Sequence, residues 1–93
     1  MYLDKFKNYL EAEKKYSILT VNAYTKDIEE FKDYLESLGI SFSKNLEYTF
    51  IRNWIVFLSK NKISPSSINR KISSLKAYYK FLINITEIKK SPL

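Results

Sequence analysis

The chain contains no cysteine and no histidine. Disulfide staples, thiolate nucleophiles, imidazole acid–base catalysis and the usual zinc ligand sets are thereby excluded together, and a reducing cytoplasm suits such a chain. With one glycine and 45% hydrophobic residues it falls outside the disordered class. No apolar run approaches the roughly 20 residues that cross a bilayer. The opening stretch places Asp4 and Lys5 inside a periodic pattern, which is not a signal peptide. The expected location is cytoplasmic, with no membrane partner. Ninety-three residues make one domain with a single small core and marginal stability. None of the eight tyrosines has an imidazole to activate it, and Tyr24 and Tyr79 fall on apolar stripes. No catalytic residue, metal ligand or cofactor site is expected, and no enzyme activity in isolation.

What is present is charge and aromatic mass. Sixteen basic residues against ten acidic give a net charge of +6, which favours a polyanionic partner without requiring one. The balance is uneven: residues 17–38 carry −3, and residues 63–93 carry +5. The positive field therefore belongs to the C-terminal half.

The stretch from Ile63 to Leu82 organises the reading. Ser64 followed by Pro65 is a helix start, a hydroxyl for an orphan amide and a proline at the first helical position, with Ile63 and Ile68 at staple spacing. Ile68, Ile72, Leu75, Tyr79 and Leu82 then form one apolar stripe at helical spacing. Opposite them stand Ser66, Arg70, Ser73 and Ala77, flanked by Asn69, Ser74 and Lys80. Short hydroxylated side chains let a helix settle into a groove. Arg70 offers a fork for guanine or phosphate, and Asn69 an amide for adenine or a phosphate oxygen. A solvated helix face is the plainer reading of the same pattern.

Earlier in the chain, Leu3, Phe6 and Leu10 predict a helix over 2–14. Ser17, with Thr20 three residues on and Tyr16 and Val21 flanking as a staple, repeats the Ser64–Ser67 start and opens a helix over 18–38 that Gly39 stops. Its core stripe is Val21, Tyr24, Ile28, Phe31, Leu35 and Leu38. Its polar face divides into Thr20, Asn22, Thr25 and Lys26 near the start and Glu29, Glu30, Asp33 and Glu36 beyond, so only the first half suits a polyanion. Residues 40–48 lose periodicity and form the longest loop, pinned by Phe42 and Leu46. Thr49 is the expected cap of a helix over 50–61. Phe50, Ile51, Trp54, Ile55, Phe57 and Leu58 cover more than half its circumference, making it the expected keystone of the core. The last helix is expected over 65–83. Past it, Ser91-Pro92 reads as the start of a linker within 84–93.

In this order the chain resembles a known family. Phe6, Leu10, Ser17, Thr20, Tyr24, Asp27, Ile28 and Phe31, then Ser64-Pro65-Ser66-Ser67-Ile68-Asn69-Arg70 with Ile72, Leu75, Tyr79, Phe81 and Leu82, and finally Ser91-Pro92, resemble the N-terminal core-binding (SAM-like) domain of tyrosine recombinases, including phage integrases and Xer-type resolvases. The resemblance implies an all-α, four-helix SAM-like orthogonal bundle spanning residues 1–93. It implies double-stranded DNA as partner, clamped at a recombination core site for integration or recombination. It also implies a C-terminal catalytic domain of the same chain, absent from this sequence, which holds the family's catalytic residues, and neighbouring recombinase protomers. In that family, helices matching the second and fourth lie against the major groove. The DNA-contacting residues expected here are therefore Thr20, Asn22, Thr25 and Lys26 with Ser66, Ser67, Asn69, Arg70, Ser73, Ser74 and Lys80.

Two other classes compete. A helical protein-interaction module predicts an exposed apolar patch, for which Ile83, Ile85, Ile88 and Val56 are candidates. A helix-turn-helix regulator fits the short turn before the last helix better than the long loop before the third. The assignment of faces further expects Leu75→Ala to cost about 2–5 kcal/mol, and Arg70→Ala to leave folding nearly untouched.

Overall fold

Among the described residues there are four α-helices: α1 (Leu3–Ala12), α2 (Ile18–Ser37), α3 (Tyr48–Lys60) and α4 (Pro65–Asn84). The structure is a computed structural model that describes residues 2–42, 46–85 and 91–93, and no strand occurs among them. The expected all-α four-helix bundle is what forms, with boundaries within about three residues of those expected from periodicity.

The helix starts work as their residue types require. Ser17 Oγ accepts from the Thr20 amide at 3.2 Å, and Ser64 Oγ from the Ser67 amide at 3.3 Å, with Pro65 at the first helical position. Gly39 takes φ +75°, and its amide and that of Ile40 bond back to the carbonyls of Glu36 and Leu35, the paired closure that needs a left-handed residue. At the end of α3 the same closure is made by Lys62 at φ +62°, whose amide reaches Ser59 while that of Ile63 reaches Leu58. One expected start is corrected. Helix α3 begins at Tyr48 after Glu47, with no side-chain cap bond, so Thr49 lies inside the first turn instead of capping it.

The core is a layer of aromatic rings between the helices. Phe6 of α1 meets Tyr78 edge-on at 5.2 Å and Phe81 at 5.6 Å, which docks α1 on the end of α4. Phe31 of α2 lies 4.9 Å from Trp54 of α3, and Phe42 in the following loop stacks edge-on against both Phe31 and Tyr78. Leu46 is buried, so the loop is pinned by the two residues expected to pin it. Trp54 is 2% exposed.

The keystone is not α3. Its inward line is Ile51, Trp54 and Leu58, whereas Val56 and Phe57 are exposed, as is Tyr48. Apolar content overstated its burial because α3 has neighbours, α2 and α4, on one side. The most extensive pairing joins α2 and α4, the two long helices. Leu38, at the frayed end of α2, is likewise exposed despite its place on the expected stripe.

The buried face of α4 is also turned. Leu75, Tyr79 and Leu82 face inward as expected, but Ile68 and Ile72 are half-buried, and Lys71, Ser74, Tyr78 and Phe81 are buried with them. At 100° per residue the true inner face is rotated by roughly 70° from the apolar stripe, toward α2. What turns it is a carboxylate. Asp27 of α2 is fully buried and recruits polar residues of α4 inward.

Tyr79 is the one awkward element of this core. Its side chain is fully buried and its hydroxyl finds no partner among the described residues, so burial pushes its pKa up. Tyr79→Phe is expected to leave stability unchanged or to raise it by about 1 kcal/mol, because an unsatisfied buried hydroxyl costs more than the phenyl that replaces it. A chemical denaturation curve showing a loss of that size would contradict this.

Candidate nucleic-acid interface

The first halves of α2 and α4 are tied together by one ion cluster. Asp27 accepts from Arg70 in a side-on fork, Nε to Oδ2 at 3.0 Å and Nη2 to Oδ1 at 2.7 Å. Lys71 Nζ donates to Oδ1 at 3.1 Å and also to Glu30, and Ser74 Oγ donates to Oδ2 at 2.7 Å. Burial by itself would raise the Asp27 pKa. The hydrogen bonds from Arg70, Ser74 and Lys71 outweigh it and hold the carboxyl below the usual carboxylate range. The same contact, chiefly the hydrogen bond to Asp27, raises the pKa of Arg70. Two acids and two bases balance, so the cluster adds no net charge to the surface.

This corrects part of the sequence reading. Ser74 is fully buried and spends its hydroxyl on Asp27 and on the Arg70 carbonyl. Thr25 is buried, with its hydroxyl bonded to the Val21 carbonyl at 2.8 Å. Neither faces outward, and both leave the set of candidate contacts. Arg70 stands at the border, its side chain 44% exposed, with two of its N–H groups committed to Asp27. It is part of the fold as well as of the surface, so the expectation that Arg70→Ala leaves folding untouched is withdrawn. The signal was present in the sequence. Asp27 lies three residues after Tyr24 and four before Phe31, and Lys71 lies three after Ile68 and four before Leu75, so both charges sit on core lines.

The remaining candidates are outside. Ser66, Asn69, Ser73 and Lys80 are exposed, and they fall at helical spacing on one ridge of α4 that also carries exposed Lys76, which the sequence reading missed. Lys76 follows Ser73 by three and precedes Lys80 by four, and that spacing alone identifies it. On α2 the matching ridge is Leu19, Asn22 and Lys26, all exposed, followed by Glu29 and Asp33. Lys26, Lys76 and Lys80 make no ion pair among the described residues. Thr20 and Ser67 are half-exposed, their hydroxyls bonded to the cap serines at 3.1 and 3.0 Å.

The starts of α2 and α4 keep amides that their caps do not take. Ser17 takes the Thr20 amide and Ser64 that of Ser67, while Pro65 has none, which leaves the amides of Ile18, Leu19 and Ser66 without a partner among the described residues. By helix rise the start of α2 lies about 14 Å along its axis from Asp27, and the start of α4 about 8 Å from Arg70. No group of acidic residues among those described is arranged to hold a metal ion, and no helix is long and apolar enough to cross a membrane.

Fold and surface together define a small all-helical module whose α4 ridge presents hydroxyl, carboxamide and ammonium groups. The sequence profile described as phage integrase, N-terminal SAM-like domain matches residues 3–85, and the chain belongs to that family. Over 82 residues it is 40% identical to the tyrosine recombinase XerC of Oceanobacillus iheyensis, a match covering 88% of this chain and 27% of that protein. It is 36% identical over 92 residues to the tyrosine recombinase XerD of Rickettsia bellii, covering 99% of this chain and 30% of that one. The chain thus spans less than a third of the length of these curated relatives. No solved structure gives a significant match.

Proposed function

We propose that this domain is the DNA-positioning half of a tyrosine recombinase clamp, holding duplex DNA at a recombination core site while a separate C-terminal catalytic domain does the chemistry. The observation that carries the reading is the exposed α4 ridge of Ser66, Asn69, Ser73, Lys76 and Lys80, together with the exposed Asn22 and Lys26 of α2. Small polar side chains allow close approach to a groove, ammonium groups take phosphates, and two helix starts add partial positive charge and free amides. Arg70, held flat by Asp27, keeps three N–H donors for phosphate or a base edge. In this reading the partners are double-stranded DNA, the catalytic domain reached through Ser91-Pro92, and neighbouring recombinase protomers. The work is done in the cytoplasm.

Alone the domain is expected to bind weakly, in the non-specific range of about 10⁻⁴–10⁻⁶ M, because a handful of phosphate contacts acts without a second domain to close the ring. Lys26→Ala, Lys76→Ala and Lys80→Ala are each expected to lower the slope of log affinity against log salt by about 0.9, whatever the DNA sequence. Fluorescence titration of the domain with duplex DNA across a salt series reads this directly. Salt-insensitive binding, or none, would overturn the reading.

A second reading, a protein-docking surface, is favoured by the exposed Val56 and Phe57 of α3, the latter stacked on Tyr34 at 5.0 Å. Ile83 and Ile85 do not supply that surface, since both pack against the core, and Ile88 lies outside the described residues.

A further inference from the structure

Two aliphatic side chains stand in water at the first turn of α2. Ile18 is 60% exposed and Leu19 is 79% exposed, the most exposed large hydrophobic residue among those described. Neither belongs to the core or to the shell packed on it. The helix start does not need them either. Ser17 caps it, Val21 anchors it in the core, and Tyr16 packs edge-on against Tyr24 at 5.8 Å.

Leu19 heads the exposed ridge that continues through Asn22 and Lys26, so one line of the helix carries an isobutyl group, a carboxamide and an ammonium in order. Its own amide is among those left free by the cap. An anion taken by that amide would lie within one residue's reach of the isobutyl group, so a ligand that offers negative charge and an apolar spot side by side suits this turn. A duplex offers that combination in its major groove, where the C5-methyl of thymine projects between phosphate-bearing strands and adenine presents N6 and N7 to an asparagine. The minor groove presents no methyl.

We propose that Leu19 is a specificity-determining residue that packs against a thymine methyl in the major groove, beside an adenine edge reached by Asn22. The inference rests on the DNA-clamp reading and refines it. The start of α2 selects A·T pairs through an apolar contact, while Lys26 on the same ridge holds the backbone.

The test uses the 93-residue chain and two duplexes that differ by the methyl alone, alternating A-T DNA and the same duplex with every thymine replaced by uracil. By fluorescence anisotropy at low salt, the unaltered domain is expected to bind the thymine duplex about fourfold more tightly, the worth of one methyl-sized group leaving water. Leu19→Ala is expected to abolish that ratio while keeping the melting curve and the salt slope, since the side chain is exposed and uncharged. Lys26→Ala should weaken both duplexes equally and keep the ratio. Equal affinity of the unaltered domain for the two duplexes, or a ratio that survives in Leu19→Ala, overturns the proposal. Salt-sensitive binding without thymine preference removes this inference alone. Absence of salt-sensitive binding to either duplex removes the clamp reading and this inference with it.

Discussion

Asp27→Ala is expected to lower the unfolding free energy by about 3–5 kcal/mol, the range found when one partner of a buried ion pair is deleted. The carboxylate has no exposure and accepts from Arg70, Lys71 and Ser74 at once, so its loss takes away both Arg70 bonds and leaves the buried ammonium of Lys71 with Glu30 alone and the buried hydroxyl of Ser74 with the Arg70 carbonyl alone. Arg70→Ala is expected to cost less, about 1–2 kcal/mol, because Lys71 and Ser74 still satisfy Asp27 and the exposed part of the guanidinium is already screened by water. The pH dependence separates a charge effect from mere packing. The folded-state pKa of Asp27 is depressed, so its contribution is fully present above the unfolded carboxyl value of about 3.9 and is lost as pH falls through the lower folded value. The unaltered domain should therefore lose stability on acidification below about pH 5 more steeply than Asp27→Ala does. Thermal melts between neutral and acid pH measure this, and parallel acid limbs for the two proteins would refute it.

Trp54→Ala is the second large effect, expected at about 3–5 kcal/mol. The indole is 2% exposed and lies 4.9 Å from Phe31, whose ring in turn carries the loop residue Phe42. Removing it opens a cavity at the junction of α2 and α3 that small movements cannot close, since interiors are packed nearly as tightly as crystals. Phe57→Ala, one turn away but exposed, is expected to cost well under that. A urea titration in which the two changes cost the same would mean that α3 is held by its whole apolar girdle.

The contrast between Trp54 and Phe57 marks what was legible in the sequence and what was not. Helix starts were legible because a cap is a local bargain: Ser17 and Ser64 satisfy amides three residues away, and no distant part of the chain has a say. The stop at Gly39 was legible for the same reason, a left-handed residue required within one turn. How deeply α3 would be buried was not, since hydrophobic content says how much surface prefers to leave water and nothing of how many neighbours are there to cover it. Thr49 failed as a cap because the helix already begins at Tyr48 with Glu47 in the extended cap position, a shift of two residues, within the range by which helix ends vary.

The candidate interface divides along the same line. Asn22, Lys26, Ser66, Asn69, Ser73 and Lys80 were found from spacing and are exposed, and Lys76 could have been found the same way. Thr25 and Ser74 were misplaced by treating polarity as a sign of the outer face. The sequence by itself determined that this chain makes four helices, where the two long ones begin, and that it belongs with the integrase-type N-terminal domains, because each of these depends on residues at most a few turns apart or on their order along the chain. Packing decided which face of α4 turns inward and whether Arg70 is free, although the spacing of Asp27 and Lys71 already marks both as lying on core lines. Both hang on Asp27, more than forty residues away in sequence, and a buried carboxylate gains enough from partners across a helix interface to override an apolar stripe that points elsewhere.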